Sequence, residues 1–214
     1  PMRSHLFLIA GLILLLRCGQ TIPERHYYLL DYPILPGTVH HIKSDERFAQ
    51  RLPFIVQMGM LTIPKIFDRS NITVRYTTTQ LNYYRYHLWA LRPDENIRDL
   101  IYRHILAADI FEEFRQDYTR LHPELEIRGD IISLERYEYR DEKVSSFSAH
   151  LEMRIMLVDL KTGQIRSEHY FNRNETLYQA EMNRFVLTLS QIIKEETDAF
   201  IKKILDTHAS PTSP

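Results

Sequence analysis

The chain has 214 residues, 44% of them hydrophobic, a formal net charge of −1 and a single cysteine. That hydrophobic fraction is enough to fill the core of one domain. The near-neutral balance argues against a nucleic-acid binder, which needs a basic excess, and a lone cysteine excludes an intrachain disulfide.

Arg3 leads into an apolar run from Leu6 to Leu16, and Cys18 follows directly behind it. A positive start before such a run reads as a secretory signal over residues 1–18. The run falls short of the roughly 20 apolar residues that a spanning helix needs. Cys18 is the expected lipid-attachment site, because acylation there would hold a soluble body on a membrane surface. Arg17 stands where lipoprotein signals carry a small residue, and a short signal anchor is the alternative reading. Residues 19–26 read as a tether, 27–206 as a single α/β domain and 207–214 as a tail with nothing apolar to order it.

Tyr27 to Leu30 is a short strand-like run stopped by Pro33 and Pro36, and Gly37 to Gln50 is a polar loop. Phe54 to Ile63, bounded by Pro53 and Pro64, reads as a buried strand. Ile72, Val74 and Tyr76 alternate with polar residues, the period of a half-buried strand. From Asp94 to Phe111 the period becomes helical, with Ile97, Leu100, Ile101, Ile105, Ala108 and Phe111 on one face. Pro93 and Asp94 supply its start signal. Residues Phe114 to Glu124 are ambiguous in pattern; one reading extends that helix after a kink, with Pro123 stopping it.

Leu125 to Ile131 and Phe147 to Leu157 alternate as strands. Asp159-Leu160-Lys161-Thr162-Gly163 signals a hairpin turn, and Gln164 to Asn172 returns as a strand, with Arg154 expected opposite Glu168. Thr176-Leu177-Tyr178-Gln179 has the capping-box pattern of a last helix, whose apolar stripe includes Met182, Phe185, Val186, Leu189, Ile192, Ile193, Phe200, Ile204 and Leu205. Strands and helices that mix without regular βαβ alternation predict an α+β, two-layer α/β sandwich: a mixed, mostly antiparallel sheet with two main helices on one face.

Motifs for chemistry are sparse. None of the ten histidines has metal-ligand spacing, and His40-His41 in the polar loop would chelate poorly. The six glycines never cluster into a phosphate-cradling loop, and no Gly-x-Ser-x-Gly occurs. Glu112-Glu113 and Asp141-Glu142 read as solvated faces, and His150 with Glu152 and Glu168 reads as surface charge on a strand. No catalytic residue, metal or cofactor is expected.

One stretch stands out. A buried strand ends at Pro64, a turn carries Asp68-Arg69, and a new strand bears Arg75. Tyr83-Tyr84-Arg85-Tyr86-His87-Leu88-Trp89-Ala90 follows, then Pro93 opens the helix. Asp68 is expected to cap the turn, Arg69 and Arg75 to reach carbonyls or carboxylates, and Trp89 to plug the strand–helix junction. The same rim is suited to a partner, because Trp, Tyr and Arg anchor interfaces.

These residues resemble a known family. Tyr27 to Leu30, the Phe67-Asp68-Arg69 turn, the Ile72-to-Arg75 strand and the Trp89-Ala90 lead into Pro93 are similar, in order and spacing, to the PqiC-like auxiliary lipoproteins of MCE-type (mammalian cell entry) lipid-transport ABC systems. Phe67 and Leu91 depart from the leucine and the acidic residue usual there. The resemblance implies a non-enzymatic accessory subunit on the periplasmic face of the Gram-negative outer membrane. It would be lipid-anchored through Cys18 and would dock an MCE-domain protein that carries phospholipid. Self-association into a homo-oligomer is compatible with it. The alternatives are an outer-membrane assembly lipoprotein that supports a β-barrel, and an envelope hydrolase.

Overall fold

The computed structural model describes residues 23–34, 50–116, 122–140 and 145–208. Cys18, residues 19–22 of the tether, nearly all of the polar loop with His40 and His41, Asp141 and Glu142, and residues 209–214 lie outside that range. In chain order the elements are β1 (His26–Tyr28), β2 (Leu52–Thr62), β3 (Asn71–Arg75), β4 (Leu81–Trp89), α1 (Pro93–Ala108), β5 (Phe111–Arg115), β6 (Leu125–Arg140), β7 (Ser145–Asp159), β8 (Ile165–Leu177) and α2 (Met182–His208).

Among the described residues eight strands join one sheet, and β6 is its hub. Along one edge β6 pairs with β7 over almost its whole length, and β7 pairs with β8, both antiparallel. Its other edge is shared: the first half takes β2 in parallel and the second half takes β3 in parallel. Beyond β2 lies β5, and beyond β3 lie β4 and then β1. The long β6–β7–β8 ladders make the mixed sheet mostly antiparallel by residue. The two helices cover one face, α1 over β2 and α2 over β7 and β8, and they also touch each other. This is the two-layer α+β sandwich expected from the pattern of elements.

The apolar stripes do the packing. Ile97, Leu100, Ile101, Ile105 and Ala108 of α1 are buried, as are Phe185, Leu189, Ile192, Ile193, Phe200 and Ile204 of α2. They meet Val56, Met58, Ile127, Ile131, Leu151, Met153 and Ile155 from the sheet in a single core. At the sheet's centre β6 and β7 come very close: a Cβ on Gly129 would lie 2.3 Å from the Arg154 carbonyl oxygen, so only glycine fits. The hairpin turn closes by a bond from the Gly163 N–H to the Asp159 carbonyl at 2.8 Å, with Gly163 at φ 72°.

Three expectations are corrected, and two stretches of strand are added. The helix ends at Ala108, because Asp109 takes a left-handed conformation (φ 53°) and its N–H bonds back to the carbonyls of Ile105 and Leu106. Phe111 and Phe114 therefore lie on a strand, β5, rather than on a continued helix. The Tyr-rich stretch is a strand too, since Leu81–Trp89 pairs with β3 and β1. Thr176 does not cap a helix: it sits on β8 opposite Ser148, and α2 starts only at Met182. Arg154 faces Tyr170, while Glu168 faces Met156; its guanidinium binds Asp130 at 2.6 and 3.0 Å instead. The strand from Leu125 also runs nine residues past Ile131, to Arg140.

Candidate functional site

The residues singled out around Asp68 converge at one end of the sheet, where β1, β4 and the start of α1 meet. The turn after β2 folds back on Pro64, whose carbonyl accepts the N–H groups of Phe67 and Asp68 at 2.8 and 3.0 Å. Phe67 is buried beneath it. The Asp68 carboxylate is spent on Arg92, 2.9 Å away, which also contacts Asp94 at 3.2 Å. Arg92 precedes Pro93, the first helical residue, so one guanidinium ties the turn to the positive end of α1.

Trp89 ends β4 and is 5% exposed. Its N–H binds the Ser70 carbonyl at 2.6 Å, and its ring lies 6.2 Å from that of Phe185 on α2. It therefore joins the turn, the strand and the far helix. Arg69 stacks its guanidinium 3.7 Å above the Tyr83 ring, a cation–π contact.

Arg75 leads to a second cluster, on the face away from the helices. Its Nε donates to Glu135 at 2.9 Å and its Nη1 to the Thr78 carbonyl at 3.2 Å. Glu135, 1% exposed, also accepts from Ser133 at 3.0 Å and lies 3.4 Å from His150, whose other nitrogen is 3.0 Å from Asn172. His150 is thus buried in a network, not surface charge beside Glu152 and Glu168. Burial works against the charged form of both groups. Their mutual hydrogen bond and charge, with the hydrogen bonds from Asn172 on one side and from Arg75 on the other, outweigh it. The His150 pKa is raised and that of Glu135 lowered.

The linkage signs follow. The contribution of His150 is complete below its ordinary value of 6.5 and fades as pH rises through its raised folded value. That of Glu135 is complete above its ordinary 4.5 and fades as pH falls through its lowered value. The pair stabilises most between those two ordinary values. Glu135→Gln is expected to move the His150 titration midpoint downward and to flatten the pH dependence of unfolding free energy above pH about 6. Imidazole NMR and urea titrations at several pH values check this, and an unchanged His150 midpoint would refute the coupling.

Sequence reasoning missed the residues that hold the N-terminal segment in place. Asn96 of α1, 3% exposed, clasps Leu30 from both sides: Leu30 N–H to Oδ1 at 2.9 Å and Nδ2 to the Leu30 carbonyl at 3.0 Å. Next, the Tyr32 hydroxyl pairs with His104 Nδ1 at 3.1 Å, and His104 Nε2 lies 3.0 Å from Asp198 of α2. The chain of groups has the order of a catalytic relay. Burial, however, holds the Tyr32 phenol far above its ordinary pKa, as a proton donor and not a nucleophile. Neither His104 nor His150 lines the surface cavities bounded by Phe54, Leu125 and Arg166 or by Arg184 and Thr188. Among the described residues no group of three His, Cys, Asp or Glu could hold a metal ion. No helix among them is long and apolar enough to cross a membrane.

These clasps build an exposed rim. β1 runs parallel to β4 with Tyr28 beside Trp89, and the Tyr28 carbonyl accepts the Ala90 N–H at 2.8 Å. Leu29, one residue past β1, and Leu91, two past β4, are 51% and 41% exposed, and Ile66 of the turn and Tyr27 on the edge strand β1 are exposed too. Arg25, Lys65 and Arg85 of the same segments are exposed as well. Exposed apolar side chains carried on a rigid base suit contact with a partner.

A family model for the ABC-type transport auxiliary lipoprotein component matches residues 41–200. No curated protein matches the chain. Among solved structures the chain is similar to a protein from Xanthomonas campestris, with a TM-score of 0.67 and 14% identity over 85% of this chain and 96% of that one. It is also similar to an uncharacterized protein, with a TM-score of 0.61 and 13% identity over 85% and 99% of the two chains. At such identities the likeness shows a shared fold.

Proposed function

The chain belongs to the ABC-type transport auxiliary lipoprotein family, and from that premise we propose that it is the outer-membrane partner of an MCE-type phospholipid transport system, of the PqiC-like group. As a family member it is a non-enzymatic auxiliary component of an ABC-type transporter. The family match over residues 41–200 carries the reading. The motif spacing from Tyr27 to Pro93 supports the finer assignment. In this reading Cys18 carries the lipid anchor on the periplasmic face of the outer membrane. Asp68, Arg69, Trp89 and Pro93 build the rim, Arg75 braces the strand behind it against Glu135, and Leu29, Leu91 and Ile66 on that rim grip the MCE-domain protein.

Chain length adds a constraint. His26 lies eight positions beyond Cys18, and an extended chain spans at most about 3.3–3.6 Å per residue. An anchor at Cys18 would hold β1 within about 30 Å of the bilayer, so a docked partner would be held at the membrane.

Two variants test the two halves. Cys18→Ala is expected to move the protein from the membrane to the soluble periplasmic fraction; retention in the membrane would reject the lipid tether. Leu91→Glu, at an exposed position, is expected to leave folding intact and to abolish co-purification of the MCE-domain protein. Undiminished recovery would remove the rim from the interface. Recovery of a β-barrel protein in its place would favour the assembly-lipoprotein alternative.

A further inference from the structure

We infer that the outer edge of β8, where α2 runs beside it, is a strand-addition site for an extended, basic peptide segment. β8 is 13 residues long and its backbone pairs only with β7 among the described residues. Proteins blunt such edges with proline, lysine, bulges or short strands. β8 has none of these along its main run: it carries no proline and no lysine, and its register with β7 is unbroken from Ser167 to Leu177. An unprotected edge of that length is a template for one more strand.

The space beside it has the right shape. Two grooves of about 300 and 530 Å³ lie between β8 and α2. They share Thr176, Arg184 and Thr188, so they form one continuous channel along the edge. The helix wall presents Leu187, 57% exposed, then Gln191 and Glu195. Tyr178 stands at the upper lip, 98% exposed. A helix or an acyl chain would leave the β8 amides and carbonyls unmet; an extended backbone satisfies them.

Charge selects the occupant. At the lower end of the channel Arg173 lies between three carboxylates, Glu175 at 2.7 Å, Glu195 at 3.1 Å and Glu196 at 2.6 Å. Glu196 is buried and shared with His169 at 2.7 Å, so the acidity of that end rests on Glu175 and Glu195, 42% and 44% exposed, against the one Arg173 guanidinium. A basic side chain belongs there, and an apolar one opposite Leu187. Leu187 and Glu195 are eight helical residues apart, about 12 Å at 1.5 Å per residue. Four strand residues span about 13 Å. The expected ligand is therefore a strand whose basic and apolar side chains sit four residues apart on one face.

The probe is a dye-labelled, end-blocked peptide, Thr-Lys-Thr-Val-Thr-Val-Thr, titrated against the folded protein by anisotropy, with amide hydrogen exchange read residue by residue. Saturable binding that slows exchange at alternate β8 amides is the expected result. Substituting Glu for Lys in the peptide is expected to weaken binding about 3–5-fold, and Glu195→Lys in the protein to reverse that preference, as for a partly exposed charge pair. Methylating alternate peptide nitrogens is expected to abolish binding, because strand pairing needs those donors. The assignment is overturned by no binding, by equal binding of the N-methylated peptide, or by protection elsewhere on the surface. It is overturned too if β8 becomes protected only through dimerisation of this chain, which would make a second copy the occupant.

Discussion

Arg136→Met is expected to lower the unfolding free energy by about 3–5 kcal/mol, the cost of stranding one half of a buried ion pair. Arg136 is 2% exposed and Glu138 4%, both on the helix side of β6. The Arg136 Nε lies 3.1 Å from a Glu138 oxygen without the alignment of a hydrogen bond, so the contact is chiefly coulombic. The same guanidinium donates to the Ala180 carbonyl at 2.6 Å and sits 4.9 Å from the Phe147 ring. It thereby fastens the segment before α2 to the sheet. Tyr84 donates its hydroxyl to Glu138, and burial together with that bond keeps the phenol protonated. Removing the cation leaves the Glu138 carboxylate without its neutralising charge in an apolar setting, and methionine restores only the volume. Removing both charges, as Arg136→Met with Glu138→Leu, is expected to recover most of the loss, because two desolvation penalties disappear together. Urea denaturation of the two single variants and the double variant forms the cycle. Additive losses would refute the pairing.

Trp89→Ala is expected to cost a similar 3–5 kcal/mol, by emptying a buried aromatic site. The effect should reach beyond stability. Trp89 is the last residue of β4, two residues before the exposed Leu91, and its ring bridges to Phe185. Collapse into the vacated space would tilt the rim carrying Leu29 and Leu91. Trp89→Phe keeps most of the packing, since the backbone bond from its N–H to Ser70 is independent of the side chain. Thermal melting by circular dichroism should rank wild type above Trp89→Phe above Trp89→Ala, with partner recovery falling in the same order. A Trp89→Ala protein as stable as the wild type would show that this side chain is no keystone.

The boundaries that escaped sequence reasoning share a physical origin. A register shift between Ile131 and Ser133 turns the alternation of β6 over, so the pattern breaks just where the strand continues toward Glu135, Arg136 and Glu138. In β4 aromatic side chains occupy both faces, and a shift between Asn71 and Thr73 hides the period. Phe111 and Phe114 sit three apart, a helical spacing, yet the left-handed Asp109 has already ended the helix. Each miss is a place where backbone geometry overrides the hydrophobic pattern that sequence reasoning relies on.

The candidate site divides in the same way. Its residue types were legible because Trp, Tyr, Arg and Pro fall together in one short stretch. Their partners were not. Arg75 meets Glu135 across 60 residues, and Asn96 clasps Leu30 across 66. The paired edge of β1, the buried His150–Glu135 contact and the channel along β8 exist only once distant segments meet.

Local chemistry in the sequence determined the two helices with their buried stripes, the Asp159–Gly163 turn, the two-layer class and the absence of familiar catalytic spacing. Periodicity and turn chemistry act between neighbours, so neighbours reveal them. Tertiary structure alone decided which polar groups are buried, which charges pair, and which edges and apolar side chains are left open to a partner. Burial and pairing are properties of surfaces that form when the sheet closes, and no window of the chain contains both sides of them.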